Sequence, residues 1–294
     1  MSVLVTGAAG RLGRVLMPTL RAAGVAVRAT DQRTEPGWGD ALQLADLSAP
    51  AQVAPLMEGV DTLVHLGNVP GVGLRGSLAT LNLNSTINAT VFHAALAAGV
   101  GKVIFASSIQ VIAGEDDPTQ PRQPPQQIAY LPLDSDSPAR PTNGYALSKY
   151  FGEVMLREQL APAGVRCVAV RFPWLSPDDD GPVEVSGEPK PQYRDYRGTR
   201  WAQCHAQLTM SDAADLVLAL LRADLPGFRV YLPAVSRIRG PVTRRYLEDR
   251  YADVPLRRPI EQMDSMIDLS RVTAETGWRP RHVAPVAEPE PRPA

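Results

Sequence analysis

The stretch from Val3 to Gly24 constrains this chain more than any other part of it. Val3 to Thr6 is a short β-branched, apolar run that reads as a buried strand. Thr6-Gly7-Ala8-Ala9-Gly10-Arg11-Leu12-Gly13 follows at once, and from Arg11 to Ala23 apolar residues recur at helical spacing until Gly24. A strand, a glycine turn and a helix in that order bring free backbone N–H groups and the positive end of a helix to one point, where an anion such as a pyrophosphate is held. A second strand, Val25 to Thr30, ends at Asp31. An acid at that place accepts hydrogen bonds from ribose hydroxyls and repels a 2′-phosphate.

The alternation continues to residue 172. Strands are expected at Leu42–Ala45, Asp61–Leu66, Lys102–Ser107 and Val165–Phe172, and helices at Ala49–Met57, Leu78–Ala98 and Tyr145–Leu160. Strict alternation means crossover connections, hence a parallel sheet covered by helices on both faces. Two polar stretches, Ala113–Thr142 and Pro173–Gln207, read as long loops. Beyond Ser211, a helix to Arg222, a strand at Phe228–Leu232 and a helix near Val242–Tyr251 read as a small C-terminal lobe, and the Pro/Glu/Ala tail from Val283 reads as loose. The expected fold is α/β, a doubly wound, Rossmann-like parallel sheet with a small C-terminal α/β lobe. Residues 1–172 would form the dinucleotide-binding domain, 173–282 a substrate lobe interleaved with it, and 283–294 a flexible tail.

Composition closes other routes. With 44% apolar residues among 294, the chain can bury a large core. Thirty Lys and Arg against 31 Asp and Glu give a net charge of −1, which offers no electrostatic hold on nucleic acid or an anionic membrane. Cys167 and Cys204 are too few for a disulfide framework or a Cys-rich zinc site, and the Asp178–Asp180 run reads as a solvated loop, so no metal is expected. No apolar run approaches the roughly 20 residues that span a bilayer. The glycine turn arrives too early for a secretory signal, so a soluble, cytoplasmic protein is expected.

Tyr145 and Lys149 stand four apart on a helix and so share a face. A free phenol titrates near ~10, too high for a base at neutral pH, and a neighbouring ammonium favours its deprotonated form. Ser107 and Ser108 stand at the C-terminal end of the strand Lys102–Ser107, where a parallel sheet places its ligands. A hydroxyl there can hold a reacting oxygen while Tyr145 exchanges its proton. His65 and Cys167 read as packing residues, and His93 as a surface or interface one.

The glycines are three apart each time, Gly7, Gly10 and Gly13, a spacing that resembles the extended branch of the short-chain dehydrogenase/reductase superfamily, its NAD-dependent epimerase/dehydratase-like group. Ala45-Asp46-Leu47, His65-Leu66-Gly67, the helix segment Asn82–Asn88, Thr209–Ala214 around Asp212, and Asp268–Pro280 with Gly277-Trp278 resemble further motifs of that group, so the likeness reaches to about Pro280. The resemblance implies NAD, with NADP possible, held by Gly7, Gly10, Arg11, Leu12, Gly13 and Asp31. It adds Asp46, Leu47, Leu66, Gly67, Asn82, Ser107, Phe172 and the pair Tyr145 and Lys149 to the cofactor site. It implies catalysis by Ser108, Tyr145 and Lys149, with Ser107 as the alternative serine. It also implies a homodimer built on the helices Leu78–Ala98 and Tyr145–Leu160.

Two positions depart from the group. Ile109-Gln110 stand where its dehydratases carry Asp-Glu, which argues against water elimination, and Trp174 replaces an Asn after the sixth strand. The runs Phe105–Ser108 and Leu147–Glu153 resemble uronate dehydrogenases, which carry Asn-His where Ile109-Gln110 lie. Substrate contacts are therefore expected from Ser108, Ile109, Gln110, Trp174 and Arg197, the last a planar cation suited to a carboxylate. The expected activity is NAD-dependent oxidation of a sugar or sugar acid. The alternatives are a sugar or nucleotide-sugar epimerase and a non-catalytic dinucleotide sensor.

Overall fold

Alternation along β1 (Ser2–Thr6) sets the layering: Val3 and Val5 join one hydrophobic core while Leu4 joins another on the opposite face. The computed structural model describes residues 1–35, 42–71, 75–114, 127–178, 199–236 and 241–282. After β1 come α1 (Arg11–Ala22), β2 (Ala26–Asp31), β3 (Leu42–Leu44), α2 (Pro50–Val53), β4 (Thr62–His65), α3 (Ser77–Ala97) and β5 (Lys102–Ser108). The chain continues with α4 (Gly144–Met155), a π turn at Leu156–Leu160, β6 (Arg166–Phe172), β7 (Trp174–Ser176), α5 (Thr199–Ala202) and β8 (Ala206–Thr209). It ends with α6 (Met210–Arg222), β9 (Phe228–Tyr231), β10 (Val235–Ser236), α7 (Pro241–Arg250) and α8 (Ser270–Thr276).

Seven of these strands form one sheet in the order β3-β2-β1-β4-β5-β6-β9, every pair parallel. The fold is therefore the expected doubly wound Rossmann-like one. Chain direction across the sheet reverses between β1 and β4, which is where such sheets open a crevice for ligands. On one face α1 and α6 bury Leu16, Met17, Leu20, Leu216, Val217 and Leu220. On the other, α3 and the π turn after α4 bury Val91, Phe92, Leu156 and Leu160 against Phe105.

Two readings are corrected. Helix α6 and strand β9 complete the large sheet and its helix layer, not a separate lobe, because the chain crosses over from β6 and lays β9 parallel beside it. The stretch 173–207 is not all loop either: β7 and β8 pair in parallel and β10 joins β8 antiparallel, making a second, three-stranded sheet. These strands have two to four residues, too short for an alternating pattern to show. The described part of the Ala113–Thr142 stretch is also fastened, since Ile128, Leu131 and Leu133 sink into a third core with Trp201, Leu247, Tyr251 and Met266. The expected tail 283–294 lies outside the described residues.

The sequence segments at 209–214 and 268–280 meet in space. Asp212, fully buried, accepts hydrogen bonds from the Arg281 and His282 backbone N–H groups at 2.8 and 2.9 Å. Its carbonyl accepts from Trp278 Nε1 at 3.1 Å. Residues 278–282 are thereby tied to the start of α6.

Candidate active site

The C-terminal ends of the central strands open into a cleft of about 790 Å³. At its start the backbone of the glycine turn leaves no room for side chains. Gly7 has φ +69°, and a Cβ there would stand 2.7 Å from Gly67 N; a Cβ on Gly13 would strike the Ala8 carbonyl. The turn can thus bring bare backbone against a diphosphate, as a dinucleotide requires. Asp31, at the end of β2, is held by Ala9 N to its Oδ2 at 3.0 Å and Arg33 N to its Oδ1 at 3.2 Å. The Arg33 side chain is exposed beside it. Asp46 is exposed and accepts from the Ser48 N–H and hydroxyl, which hold its carboxyl below the usual carboxylate range. Arg11 turns toward the other end of the cleft and donates to the Leu175 carbonyl at 3.1 Å.

Gly7, Gly10, Arg11, Leu12, Gly13, Asp31, Asp46 and Leu47 all line this cleft, together with Leu66, Gly67, Ser107, Tyr145, Lys149 and Phe172. Ser108, Ile109, Gln110 and Trp174 line it too. One expected residue does not: Asn82 is exposed on α3 and faces a separate depression beside Thr142–Gly144. The buried asparagines of that helix are Asn84 and Asn88, four apart and so on one face, whereas Asn82 lies about 200° around the helix from Asn84. Arg197 lies outside the described residues, as do Arg194 and Asp179–Asp180.

The end of the cleft where proton transfer is expected is built by α4 and β5. Asn143 caps α4, its Oδ1 accepting from Ala146 N at 2.8 Å, while its Nδ2 donates to Gln110 Oε1 at 3.1 Å. Tyr145 and Lys149 follow in the first turns of α4, both buried. Lys149 Nζ lies 5.7 Å from the Tyr145 ring centre and donates to Asn68 Oδ1 and the Ala106 carbonyl, each at 2.7 Å. Burial pushes its ammonium down to about 7. From Asn68 a chain of hydrogen bonds runs back to the glycine turn. Asn68 Nδ2 and His65 Nε2 both donate to Asn88 Oδ1, at 3.0 and 3.1 Å, and the Thr6 hydroxyl donates to His65 Nδ1 at 2.7 Å. That order fixes His65 as the neutral Nε2–H tautomer, and burial together with the Lys149 charge pushes it down to about 3. His65 does pack between Phe92 and Phe105, as its sequence position suggests, but it also carries this chain.

The two serines differ. Ser107 Oγ donates to Glu153 Oε1 at 2.6 Å, and Glu153 is locked in a fully buried two-point ion pair with Arg171, at 2.9 and 2.8 Å. Among the described residues Ser108 Oγ accepts only a backbone N–H, from Gln110 at 3.2 Å, which leaves its proton available to the cleft. Sequence reasoning passed over Asn68, Asn84, Asn88, Arg75 and Gln203. The four-residue spacing of Asn84 and Asn88 was a usable signal; no local pattern marks Arg75 or Gln203. Arg75 lines the cleft two residues before Ser77, whose Oγ accepts from Gly144 N at 2.7 Å next to Tyr145.

The sequence from 3 to 182 matches the model of the NAD dependent epimerase/dehydratase family. A uronate dehydrogenase of Pseudomonas syringae pv. tomato is 34% identical over 194 residues, 60% of this chain and 66% of the relative, so the match spans just under two thirds of that relative's length. An L-arabinose 1-dehydrogenase (NAD(P)(+)) of Haloferax volcanii is 30% identical over 186 residues, 60% of this chain and 68% of the relative. Among solved structures, uronate dehydrogenase from Agrobacterium tumefaciens superposes with a TM-score of 0.65 at 25% identity, covering 96% of this chain and 85% of that one.

Proposed function

Because the chain belongs to the NAD dependent epimerase/dehydratase family, we propose that it is an NAD-dependent dehydrogenase that oxidises one hydroxyl of a small acidic sugar. One observation carries this reading: Ser108, Tyr145 and Lys149 stand in the same cleft as the glycine turn and Asp31. NAD bound along the turn supplies the hydride acceptor. Asp31 takes the adenosine ribose hydroxyls and disfavours a 2′-phosphate, while the exposed Arg33 leaves weaker use of NADP open. Tyr145 removes the proton of the substrate hydroxyl, and the Lys149 charge stabilises the phenolate. Ser108 holds the reacting oxygen with a hydrogen bond from its hydroxyl.

The acidic substrate is supported by charge. Asp31 and Asp46 lie at the β2 and β3 end, whereas the other end carries Tyr145, Lys149 and Arg75, with Arg11 reaching toward it through the Leu175 carbonyl. The uronate dehydrogenase relatives point the same way. Pro173, Trp174, Leu175 and Gln203 supply the outer wall of this end, and the protein works in the cytoplasm, where its cofactor is supplied. Two copies pair through α3 and α4, which leave Leu78 and Phe151 exposed; light scattering that finds only monomer at micromolar concentration rejects the pairing.

The test is a panel of hexuronates, neutral sugars and nucleotide sugars, read by the absorbance of reduced NAD. A hexuronate is expected to reduce added NAD most efficiently. Interconversion of a nucleotide sugar with no net reduction would replace the reading by epimerisation, which the family also contains.

A further inference from the structure

Gln203 stands between α5 and β8, in the wall of the cleft that also holds Trp174 and Leu175. The residue is 6% exposed, and its Nε2 donates to the Ala113 carbonyl at 2.9 Å. A carbonyl can only accept, so this contact fixes which way the amide faces: nitrogen toward Ala113, Oε1 the other way. Among the described residues Oε1 has no hydrogen-bond partner, yet it is not one of the sealed-in polar atoms. A buried amide with one arm tied and an acceptor left facing a cleft is prepared for a donor that arrives with a ligand.

The backbone behind it is held in an unusual state. Cys204 and His205 follow with φ 54° and 50°, two successive left-handed residues that are not glycine. Side chains with a Cβ disfavour that region, and it persists where surrounding contacts impose it. Here they do. The Cys204 carbonyl accepts from Ser236 Oγ at 3.0 Å, and the His205 Nε2 and Tyr246 hydroxyl are 2.7 Å apart. Tyr251 OH donates to the Trp201 carbonyl at 2.8 Å while stacking on the Trp201 ring. Three separate elements, β10, α7 and α5, therefore clamp the turn that presents Gln203. Trp174, 45% exposed, lines the same wall and offers an aromatic face to the C–H side of a sugar ring.

We propose that Gln203 accepts a hydrogen bond from a substrate hydroxyl that is not oxidised, and so selects a fully hydroxylated sugar over a deoxy one. This rests on the dehydrogenase reading above and adds the residue that reads the far side of the sugar.

The test is steady-state kinetics of Gln203→Met, which keeps length and bulk, on the sugar acid turned over by the wild type and on its monodeoxy analogues. Loss of one neutral hydrogen bond is expected to raise KM about tenfold, with kcat and NAD affinity nearly unchanged. One monodeoxy analogue should cost the wild type the same factor and cost Gln203→Met nothing more. Gln203→Ala should show the same selectivity, and unaltered NAD affinity certifies that both variants are folded. An unchanged KM, or equal losses for every deoxy analogue in both proteins, overturns the proposal. Tyr145→Phe in the same assay separates the two levels: if it is inactive while Gln203→Met behaves as wild type, only the Gln203 inference fails. If Tyr145→Phe turns over normally, the dehydrogenase reading fails and the inference with it.

Discussion

The two ends of the cleft are made in different ways. The end proposed to hold the cofactor comes from short segments, each a strand end with the turn after it: Thr6–Gly13, Asp31, His65–Asn68, Ala106–Ser108. The end proposed to hold the substrate is assembled from pieces far apart in the chain, with Gln203 tied to Ala113, Trp201 to Arg250, and Ser236 to Cys204. The first kind of site is rigid because the sheet is rigid, and the hydrogen-bond chain from Thr6 through His65, Asn88 and Asn68 to Lys149 adds internal support. The second is adjustable, since a change in any one loop moves the wall without touching the sheet. A family can thus keep one chemistry and vary its substrates.

If that division is right, substitutions at the two ends fail differently. The largest effect is expected at the chemistry itself: Tyr145→Phe should lower kcat on the order of 10²–10⁴-fold for every substrate, with NAD affinity intact by titration. Next comes Arg171→Ala. Removing one partner of the buried pair strands Glu153 and should cost about 3–5 kcal/mol of stability, read from urea unfolding. Gly13→Ala drives a Cβ into the Ala8 carbonyl and should weaken NAD binding by an amount typical of overpacking, about 1–3 kcal/mol, in the same proportion whatever sugar is present. A selective loss with one sugar would break the comparison.

Smaller effects sharpen it. Asn68→Leu removes one of the two acceptors of Lys149 and should lower kcat about tenfold with little change in KM. A pH effect follows from Lys149. Folding holds it at about 7, below the ordinary 10.5, so between those values the unfolded chain binds a proton that the folded one does not. Stability should therefore rise with pH across that window, and the slope should be reduced in Lys149→Met. Equal slopes in both proteins would mean that this ammonium is not the group responsible.

Legibility followed the same division. The glycine turn, Asp31, and Tyr145 with Lys149 were readable because each depends on spacing within one or two turns of chain. Asn82 was placed by motif and missed by helix face: two residues along, Asn84 points inward. The lobe assignment of α6 and β9 failed because adjacency in sequence does not say which sheet edge a crossover reaches. Gln203 had no sequence signal at all, since its role depends on a carbonyl 90 residues away and on a turn held by three other elements. Lys149's partner Asn68 sits one residue past Gly67, just outside the segment His65-Leu66-Gly67 that drew attention.

The central claim is that this cleft oxidises a sugar hydroxyl, with Tyr145 taking the proton. The most direct measurement follows a sugar acid deuterated at the carbon to be oxidised, incubated with NAD and the protein, with mass spectrometry of the reduced cofactor. The account predicts deuterium in the reduced NAD, an oxidised sugar acid in equal amount, and neither with Tyr145→Phe. Deuterium retained in the sugar with an inverted centre, or equal label transfer by Tyr145→Phe, would contradict it.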